Sequence, residues 1–481
     1  MNSENGPALE LMINGEAVSV PDDGRTLLDV LRTDVHAVSV KDGCSPQGQC
    51  GCCTVLVDGQ PRVSCVTPAR RVQGREITTL EGVDEDRRLA WAAALTATGG
   101  SQCGFCTPGI ICRLVGAEEK GADLADAATV GRALQAHLCR CTGWQTISEA
   151  AVRVAGTDPV VSVDRAGGAA RALLEGRCPQ QVGPAVALGA GGFADDGAPT
   201  DALVAVPDGA GDWTVAESLV EARLAAGKVQ GRRTTATVTP PLALPPGEWD
   251  RTLRTAWVEP AYLETDASWC EPGGEPASPL ANGGAFGAKQ SSEVAATARR
   301  LADLHGRPVR VLLSREDTVR LGPKRPPVAV GLNSDGTGVM RTVRTPGMAA
   351  AVGSVLPDVV VDETDIAGPS TSIDIRGAGW AEAVVVAAGV RGRLDEVTHP
   401  DGGRAQAELV DGVIRVGVAC GEVLDEVVLR SYCIGAAHMA YSWVTSEGLA
   451  VADDGTIGDL TVRSFGIVRA IDTPPIEVTI T

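Results

Sequence analysis

The chain has 481 residues, which is enough for about three domains. Hydrophobic residues make up 44% of it and charged residues 21%, a composition typical of a globular protein rather than a disordered one. Because 61 acidic residues outweigh 42 basic ones, the formal net charge is −19, which argues against a nucleic-acid partner. The start of the chain has no basic and apolar leader, and no apolar run approaches the ~18 residues of a membrane span, so we expect a cytoplasmic protein.

The first elements along the chain predict a small β-rich domain. Asn14-Gly15 lies between two alternating apolar and polar runs, a pattern that predicts a two-residue hairpin turn, and Asp58-Gly59 predicts a second one. Between these turns, the apolar residues of "TLLDVLRTDV" have helical spacing. A cysteine-rich loop follows this helix.

Cysteines are concentrated near the start of the chain. Ten of the 14 fall within the first 141 residues, in two tight groups. Disulfides are rare in a reducing compartment, so we interpret these groups as metal-binding or redox sites.

The first group lies in the glycine-rich loop "DGCSPQGQCGCCTVLVDGQPRVSC". Cys44, Cys50, Cys53 and Cys65 give the spacing C-x5-C-x2-C with a distant fourth cysteine, one residue longer than the C-x4-C-x2-C of plant-type [2Fe–2S] ferredoxins. Cys52 is a rival ligand, but neighbouring side chains tend to diverge and Cys50 and Cys53 keep the required C-x2-C spacing, so Cys52 is left out of the predicted ligand set. A zinc site is the alternative interpretation.

The second group lies in a predominantly helical stretch. Cys103-x-x-Cys106 alone could be a dithiol redox pair or half of a zinc site. Together with Cys139-x-Cys141 it supplies four thiolates, enough to hold one two-iron cluster.

The runs "QCGFCTPG" and "CRCTG" resemble the iron–sulfur subunit of the molybdenum hydroxylases, the family of xanthine dehydrogenase, aldehyde oxidase and CO dehydrogenase. The resemblance covers about residues 8–155. It implies that the first group holds the cluster nearer the flavin and the second group the cluster nearer the molybdenum cofactor. It also implies that Gln102 and Cys141 contact the molybdopterin of a partner subunit. Two departures are the extra residue after Cys44 and Trp144, where a tyrosine is usual.

A glycine-rich loop further along, "NGGAFGAK", fails as a nucleotide P-loop, because Ala288 and Gln290 replace the required glycine and hydroxyl. It resembles instead the G-G-x-F-G-G-K loop of the molybdenum-binding subunit, which lies beside the metal's oxo ligand. On that resemblance, the residues that would contact the cofactor are Gly283, Gly284, Phe286 and Gly287.

Two other glycine-containing runs are candidate cofactor segments. Residues 189–194 have the spacing G-x-G-x-x-A, but turn residues follow where a Rossmann helix should begin, so no flavin or nicotinamide site is predicted. "DIRGAGWAEA", which contains Arg376, resembles a later cofactor-binding segment of the molybdenum subunit.

The catalytic parts of the family's molybdenum subunit are missing from the C-terminal half, residues 201–481. Only 42 residues separate Gly379 from Glu422, where the family has a long second lobe. No glutamate near Thr481 has the glycine-flanked setting of the family's general base, which must lie within hydrogen-bond reach of its proton. Glu477 lies in a predicted strand. We therefore predict no catalytic residue here and a glycine loop that is vestigial.

The predicted fold class is α+β and multidomain. It comprises a β-grasp plant-type ferredoxin domain (1–84), a four-helix [2Fe–2S]-binding domain (85–157), a linker (158–200) and a truncated, mixed α/β remnant of the molybdopterin-binding domain (201–481).

The predicted function is an electron-transfer and scaffold subunit of a molybdenum hydroxylase complex with two [2Fe–2S] clusters. Its expected partners are a molybdopterin-binding large subunit and an FAD-binding medium subunit, assembled as a dimer of heterotrimers. The alternatives are a self-sufficient molybdenum hydroxylase, in which residues 201–481 still bind the cofactor, and a free ferredoxin-like carrier. The substrate and the electron acceptor have no signature in this sequence.

Overall fold

The computed structural model describes residues 8–156, 180–227, 237–280, 282–392 and 396–481, with the single positions 170 and 174. None of the helices in these ranges is both long and apolar enough to cross a membrane.

The first domain is built on a five-stranded sheet in the order β2-β1-β5-β3-β4. Its strands are β1 (Ala8–Ile13), β2 (Glu16–Pro21), β3 (Thr54–Val57), β4 (Gln60–Val63) and β5 (Glu76–Thr78). β1 and β5 run parallel, and the other neighbours are antiparallel. Both predicted hairpins are confirmed, since Asn14-Gly15 and Asp58-Gly59 take the positive φ values that tight hairpin turns require.

The predicted helix of this domain is also confirmed as α1 (Leu27–Thr33), whose leucines and valine are buried. It begins where it does because Thr26 and Asp29 form a capping box that satisfies the first free backbone N–H groups.

The second domain is a group of four helices, as the sequence predicts. These are α2 (Glu85–Thr98), α3 (Thr107–Glu118), α4 (Ala127–Ala133) and α5 (Gln145–Ala155). Asp84 caps α2, and Gly99 ends it in the left-handed conformation. Cys106 lies at the N-terminal end of α3, so a cysteine predicted to bind metal stands at the positive end of a helix dipole.

The rest of the described chain is mixed α/β, in agreement with the predicted fold class. Its helices are α6 (Pro184–Ala187), α7 (Leu219–Ala225), α8 (Val294–His305), α9 (Arg315–Leu321), α10 (Met348–Gly353), α11 (Trp380–Arg391) and α12 (Glu426–Thr445). Its strands are β6 (Leu203–Pro207), β7 (Trp213–Ala216), β8 (Arg251–Arg254), β9 (Ala267–Cys270), β10 (Val309–Leu312), β11 (Val328–Leu332), β12 (Gly338–Val343), β13 (Val359–Thr364), β14 (Val397–Thr398), β15 (Arg404–Val410), β16 (Val413–Ala419) and β17 (Ile476–Ile480).

These strands form three four-stranded sheets, in the orders β7-β6-β10-β9, β13-β12-β11-β8 and β14-β15-β16-β17. Helix α8 and strand β10 follow the glycine loop, as the sequence predicts, and Glu477 lies in the predicted strand β17. After residues 189–194 the chain forms a 3-10 turn instead of an α-helix, which agrees with the rejection of a Rossmann motif.

One hydrophobic core joins the two N-terminal domains to the C-terminal half. The buried cysteines of both groups share it with Trp257, Leu449 and Phe465. The described part of the predicted linker, residues 180–200, also packs here through Ala187 and Phe193, and residues 158–169, 171–173 and 175–179 lie outside the described chain. The cysteine loops are therefore enclosed by residues from the whole length of the protein.

Candidate metal centres

The first cysteine group lies in the loop before β3 and in the turn after β4. Cys44, Cys50, Cys53 and Cys65 are all buried. Their thiols form a continuous chain of contacts, from Cys50 to Cys44, from Cys44 to Cys65 and from Cys65 to Cys53. Residues far apart in the loop are thus brought to one place.

Backbone N–H groups also point at this group. The amides of Gln47 and Gln49 donate to Cys44 Sγ over 3.2 and 3.5 Å. The pKa of Cys44 lies well below its usual value, because the Cys50 and Cys65 thiols donate to its sulfur, with further help from these amides. The thiolate, which is the form that binds metal, is therefore favoured at Cys44, whereas the same contacts raise the pKa of the donating Cys50 and Cys65 thiols.

Cys52 lies closer to this group than its exclusion from the ligand set would suggest. Its backbone amide donates to Cys50 Sγ over 3.5 Å, and its own thiol contacts Cys50. A Cβ placed on Gly43 would lie 3.0 Å from Cys52 Sγ and 3.1 Å from Cys50 Sγ. Which of the two binds metal stays a prediction, which rests on the C-x2-C spacing.

The second group brings together the start of α3 and the segment between α4 and α5. Cys103 Sγ and Cys141 Sγ are 3.5 Å apart, and Cys106 contacts Cys139. The Cys106 thiol and the Thr142 hydroxyl donate to Cys139, which lowers the pKa of Cys139 to about 6 although burial opposes the shift. Cys103 is half-buried, whereas the other seven candidate ligands are buried.

The arrangement of sulfurs fits a two-iron cluster at each place. The first group is a chain of four contacting thiols, the second contains two contacting pairs, and four cysteine thiolates are what a [2Fe–2S] cluster needs. Across the described ranges, no three or more His, Cys, Asp or Glu side chains converge to hold a single metal ion.

The two groups are adjacent. The backbone amide of Leu138 donates to the carbonyl of Cys50 over 2.9 Å, which joins the two cysteine loops directly. His137 packs so closely on Gly51 that a Cβ there would lie 2.4 Å from its ring, and burial lowers the pKa of His137 to about 3. A neutral imidazole and a glycine therefore form the contact between the loops.

Gln102, predicted to contact a partner's molybdopterin, is engaged within this chain. Its Nε2 donates to the Cys141 carbonyl over 3.1 Å and to Ser431 Oγ over 2.8 Å. Ser431 belongs to α12, where Gly435 lies so close to Cys141 that a Cβ would be 1.8 Å from the carbonyl oxygen. Helix α12 therefore covers this side of the second group, and the pterin contact stays a prediction.

The glycine loop also packs against the second group. A Cβ on Gly284 would lie 3.3 Å from Cys103 Sγ and 3.6 Å from Cys141 Sγ, and one on Gly287 would lie 1.7 Å from the Asp374 carbonyl oxygen. The cavity between this loop and the cysteines is about 10 Å³, room for about one water molecule. A molybdopterin does not fit in this cavity.

The side chain of Lys289, the last residue of the glycine loop, lines the same cavity. Lys289 Nζ donates to Glu264 Oε2 over 2.6 Å, and both side chains are buried. The aromatic departure at Trp144 is also buried, and its indole Nε1 donates to the Val468 carbonyl over 3.2 Å. The side chains of Lys289 and Trp144 therefore both pack in the interior of the protein.

Sequence reasoning missed an ionic network at the second group. Arg140, which stands between two candidate ligands, forms a bidentate ion pair with Glu447, and Arg376 Nη2 donates to the same carboxylate over 2.9 Å. Burial alone would raise the pKa of Glu447, but the charges of Arg140 and Arg376 outweigh burial and lower it to about 2. An arginine flanked by two candidate ligands was the available signal in the sequence, whereas no motif near Glu447 marks that residue.

Comparison with known protein families matches two adjacent models. The 2Fe-2S iron-sulfur cluster binding domain matches residues 11–78, and the [2Fe-2S] binding domain matches residues 79–152. These two matches cover both cysteine groups.

Curated relatives match the same N-terminal part. The nicotinate dehydrogenase small FeS subunit of Eubacterium barkeri is 43% identical over 154 residues, which are 31% of this chain and 96% of that protein. The xanthine dehydrogenase iron-sulfur-binding subunit of Escherichia coli O157:H7 is 39% identical over 152 residues, 31% of this chain and 93% of that protein.

Solved structures match the fold of a larger part. The aldehyde oxidoreductase of Desulfovibrio gigas has a TM-score of 0.55 at 19% identity, with 80% of this chain and 61% of that chain covered. The aldehyde oxidoreductase of Desulfovibrio desulfuricans has a TM-score of 0.53 at 16% identity, with 98% of this chain and 76% of that chain covered. At these identities the likeness concerns the fold alone, and the chain spans less than two thirds of the first of these proteins.

Proposed function

The chain belongs to the molybdenum hydroxylase family, and on that premise we propose that it is an electron-transfer and scaffold subunit of such a complex. In this proposal electrons come from a molybdenum cofactor on a partner large subunit. They pass through the second cysteine group, then the first, to FAD on a medium subunit. When bound, a [2Fe–2S] cluster supplies one-electron redox chemistry, and the chain's own residues hold it and exclude water.

The observation that carries this proposal is the direct contact between the two four-thiol groups, in which seven of the eight cysteines are buried. The hydrogen bond from Leu138 to Cys50 keeps the two loops together, and His137 fills the space beside Gly51. A pair of adjacent sites of this kind suits electron transfer, because electrons move between the centres without a diffusing carrier.

The C-terminal half supports the scaffold part of the proposal. It buries the network of Arg140, Glu447 and Arg376, and it covers Gln102 with α12. The cavity of about 10 Å³ beside Cys103 is too small for a pterin, which weighs against the self-sufficient alternative. We propose domain boundaries as predicted from the sequence, at 1–84, 85–157, 158–200 and 201–481.

The route to the large subunit would begin at Cys103. This is the one half-buried side chain among the eight candidate ligands. Since Gln102 is already bonded to Cys141 and Ser431, we propose that a partner's cofactor approaches on the side of Cys103.

The route to the flavin subunit would begin beside Cys65. Residues 59–75 contain four arginines and no acidic residue, in a chain of net charge −19. Arg62, Arg70 and Arg71 are exposed, and Val66, directly after Cys65, is 41% exposed. We propose that an acidic surface of the flavin subunit docks on this basic segment, residues 62–71.

Electron-spin resonance of the reduced chain tests the cluster assignment. The purified, reduced protein is expected to give two distinct [2Fe–2S] signals, with about four irons per chain. Cys106→Ser should abolish one signal and about half of the iron. Cys112→Ser is the matched control, because Cys112 is equally buried in the same helix and lies outside the contacting thiols, and it should keep both signals. Two intact signals in Cys106→Ser would contradict the assignment.

A further inference from the structure

Arg315, the first residue of α9, differs from the other fully buried basic side chains of the described chain. The other three each pair with a carboxylate. Arg140 pairs with Glu447, Lys324 pairs with Glu259, and Lys41 pairs with Asp196. Arg315 is 0% exposed, and no Asp or Glu among the described residues pairs with it.

The guanidinium of Arg315 reaches the first cysteine loop. Its Nη2 donates to the carbonyls of Gly43 over 2.6 Å and of Leu263 over 2.9 Å. Its Nε and Nη1 are buried and have no hydrogen-bond partner. The Tyr262 ring lies 5.9 Å from the guanidinium carbon, and the Tyr262 hydroxyl donates to Asp266 Oδ1 over 2.6 Å.

Gly43 links this cation to the sulfurs. It directly precedes Cys44, and a Cβ on it would lie 3.1 Å from Cys50 Sγ. The unpartnered charge therefore lies one residue from a group of four buried thiols.

A buried charge without a partner is costly, so a structure that keeps one usually supplies an opposite charge. Four thiolates, two ferric ions and two sulfides together carry a net negative charge, which grows by one on reduction. Arginine stays protonated in proteins, so its positive charge is present in both redox states.

We propose that Arg315 is the countercharge of the first cluster and raises its reduction potential. The inference rests on the proposed function, since it requires a cluster at Cys44, Cys50, Cys53 and Cys65. In the redox step one ferric ion takes one electron and becomes ferrous, and no bond forms or breaks. Arg315 lowers the free energy of the reduced, more negative state more than that of the oxidised state. The C-terminal half thereby acts on a redox centre that it does not ligate.

Potentiometric titration of the full chain, followed by electron-spin resonance, tests the proposal. Arg315→Gln removes the charge, and we expect it to lower the midpoint potential of the first cluster only. The ratio of reduced to oxidised cluster at the wild-type midpoint should fall at least tenfold, which corresponds to about 59 mV for a one-electron couple. Arg315→Lys keeps the charge and should retain most of the wild-type value.

Arg463→Gln is the matched control for a merely structural role. Arg463 also reaches the first loop from the C-terminal half, where its Nε donates to the Gln49 carbonyl over 2.9 Å, but it is half-buried and screened by solvent. An equal shift in Arg463→Gln, or an unchanged midpoint in Arg315→Gln with both clusters present, would overturn the proposal.

If Arg315→Gln does not fold, Arg315→Met carries the same test, because an apolar side chain needs no buried partner. If the wild-type chain gave neither cluster signal, the proposed function itself would be overturned. A failure of the Arg315 proposal can therefore be distinguished from a failure of the proposed function.

Discussion

Arg140 and Glu447 form a bidentate ion pair in which both nitrogen–oxygen distances are 2.6 Å and both side chains are 1% exposed. The two residues are 307 positions apart. Arg140 separates two candidate ligands of the second cysteine group, and Glu447 follows α12, so this pair fastens the C-terminal half to a predicted cluster site. It gives a physical reason for keeping the C-terminal half attached to the cysteine-rich domains.

Glu447→Gln should strongly destabilise the chain. It leaves Arg140 and Arg376 buried beside a neutral amide, and breaking a buried pair in this way costs about 3–5 kcal/mol. We expect a matching fall in the free energy of unfolding, measured with urea at neutral pH. Glu149→Gln is the control, because the Glu149–Arg430 pair is about one-third exposed and should contribute only about 0.2–1 kcal/mol. Equal losses in the two variants would contradict the role of the buried pair.

The packing of the glycine loop on the second group can be tested by adding a single methyl group. Gly284→Ala introduces a Cβ 3.3 Å from Cys103 Sγ, at a φ of +79° that alanine disfavours. We expect a changed spin-resonance signal of the second cluster or a loss of its iron, while the first cluster is unaffected.

Gly273→Ala controls for backbone strain in this test. Gly273 has a similar φ of +72°, but nothing lies within 4 Å of its added Cβ. If both variants changed the second cluster equally, the contact between Gly284 and the cysteines would have no special role.

Charge reversal tests the docking of the flavin subunit on residues 62–71. The double variant Arg70→Glu/Arg71→Glu places negative charges where an acidic partner would approach, and we expect at least about tenfold weaker association. The fraction of FAD retained by the tagged chain at low ionic strength measures this. Arg300→Glu, an exposed arginine in α8, is the control for net charge and should retain FAD. If the wild-type chain, the double variant and Arg300→Glu retained equal amounts of FAD, the proposed docking surface would be wrong.

Local signals in the sequence predicted the local features of the structure. The turn at Asn14-Gly15, helix α1 and the convergence of Cys103 and Cys106 with Cys139 and Cys141 all depend on residues close in sequence or on a spacing typical of metal sites. The turn and the helix could be predicted because periodicity and turn chemistry act within a few residues. The meeting of the cysteines could be predicted because their spacing is typical of metal sites.

The contacts that link the two halves had no such signal. The hydrogen bonds from Gln102 to Ser431 and from Arg315 to Gly43 join residues 329 and 272 positions apart. Neither Ser431 nor Arg315 belongs to a motif, and a single side chain placed by tertiary packing leaves no periodic pattern in the sequence. Through these contacts the C-terminal half covers parts of both cysteine groups.

We propose that this chain carries electrons between a molybdenum subunit and a flavin subunit. The most direct test is purification of the tagged chain from its native host under anaerobic, low-salt conditions, followed by quantification of iron, molybdenum and FAD. We predict that molybdenum and FAD co-purify with the chain. When the partners are removed under mild conditions, iron should stay with the chain and both other cofactors should leave. Recovery of an iron-containing chain with neither molybdenum nor FAD, or stoichiometric molybdenum on the isolated chain, would contradict the account.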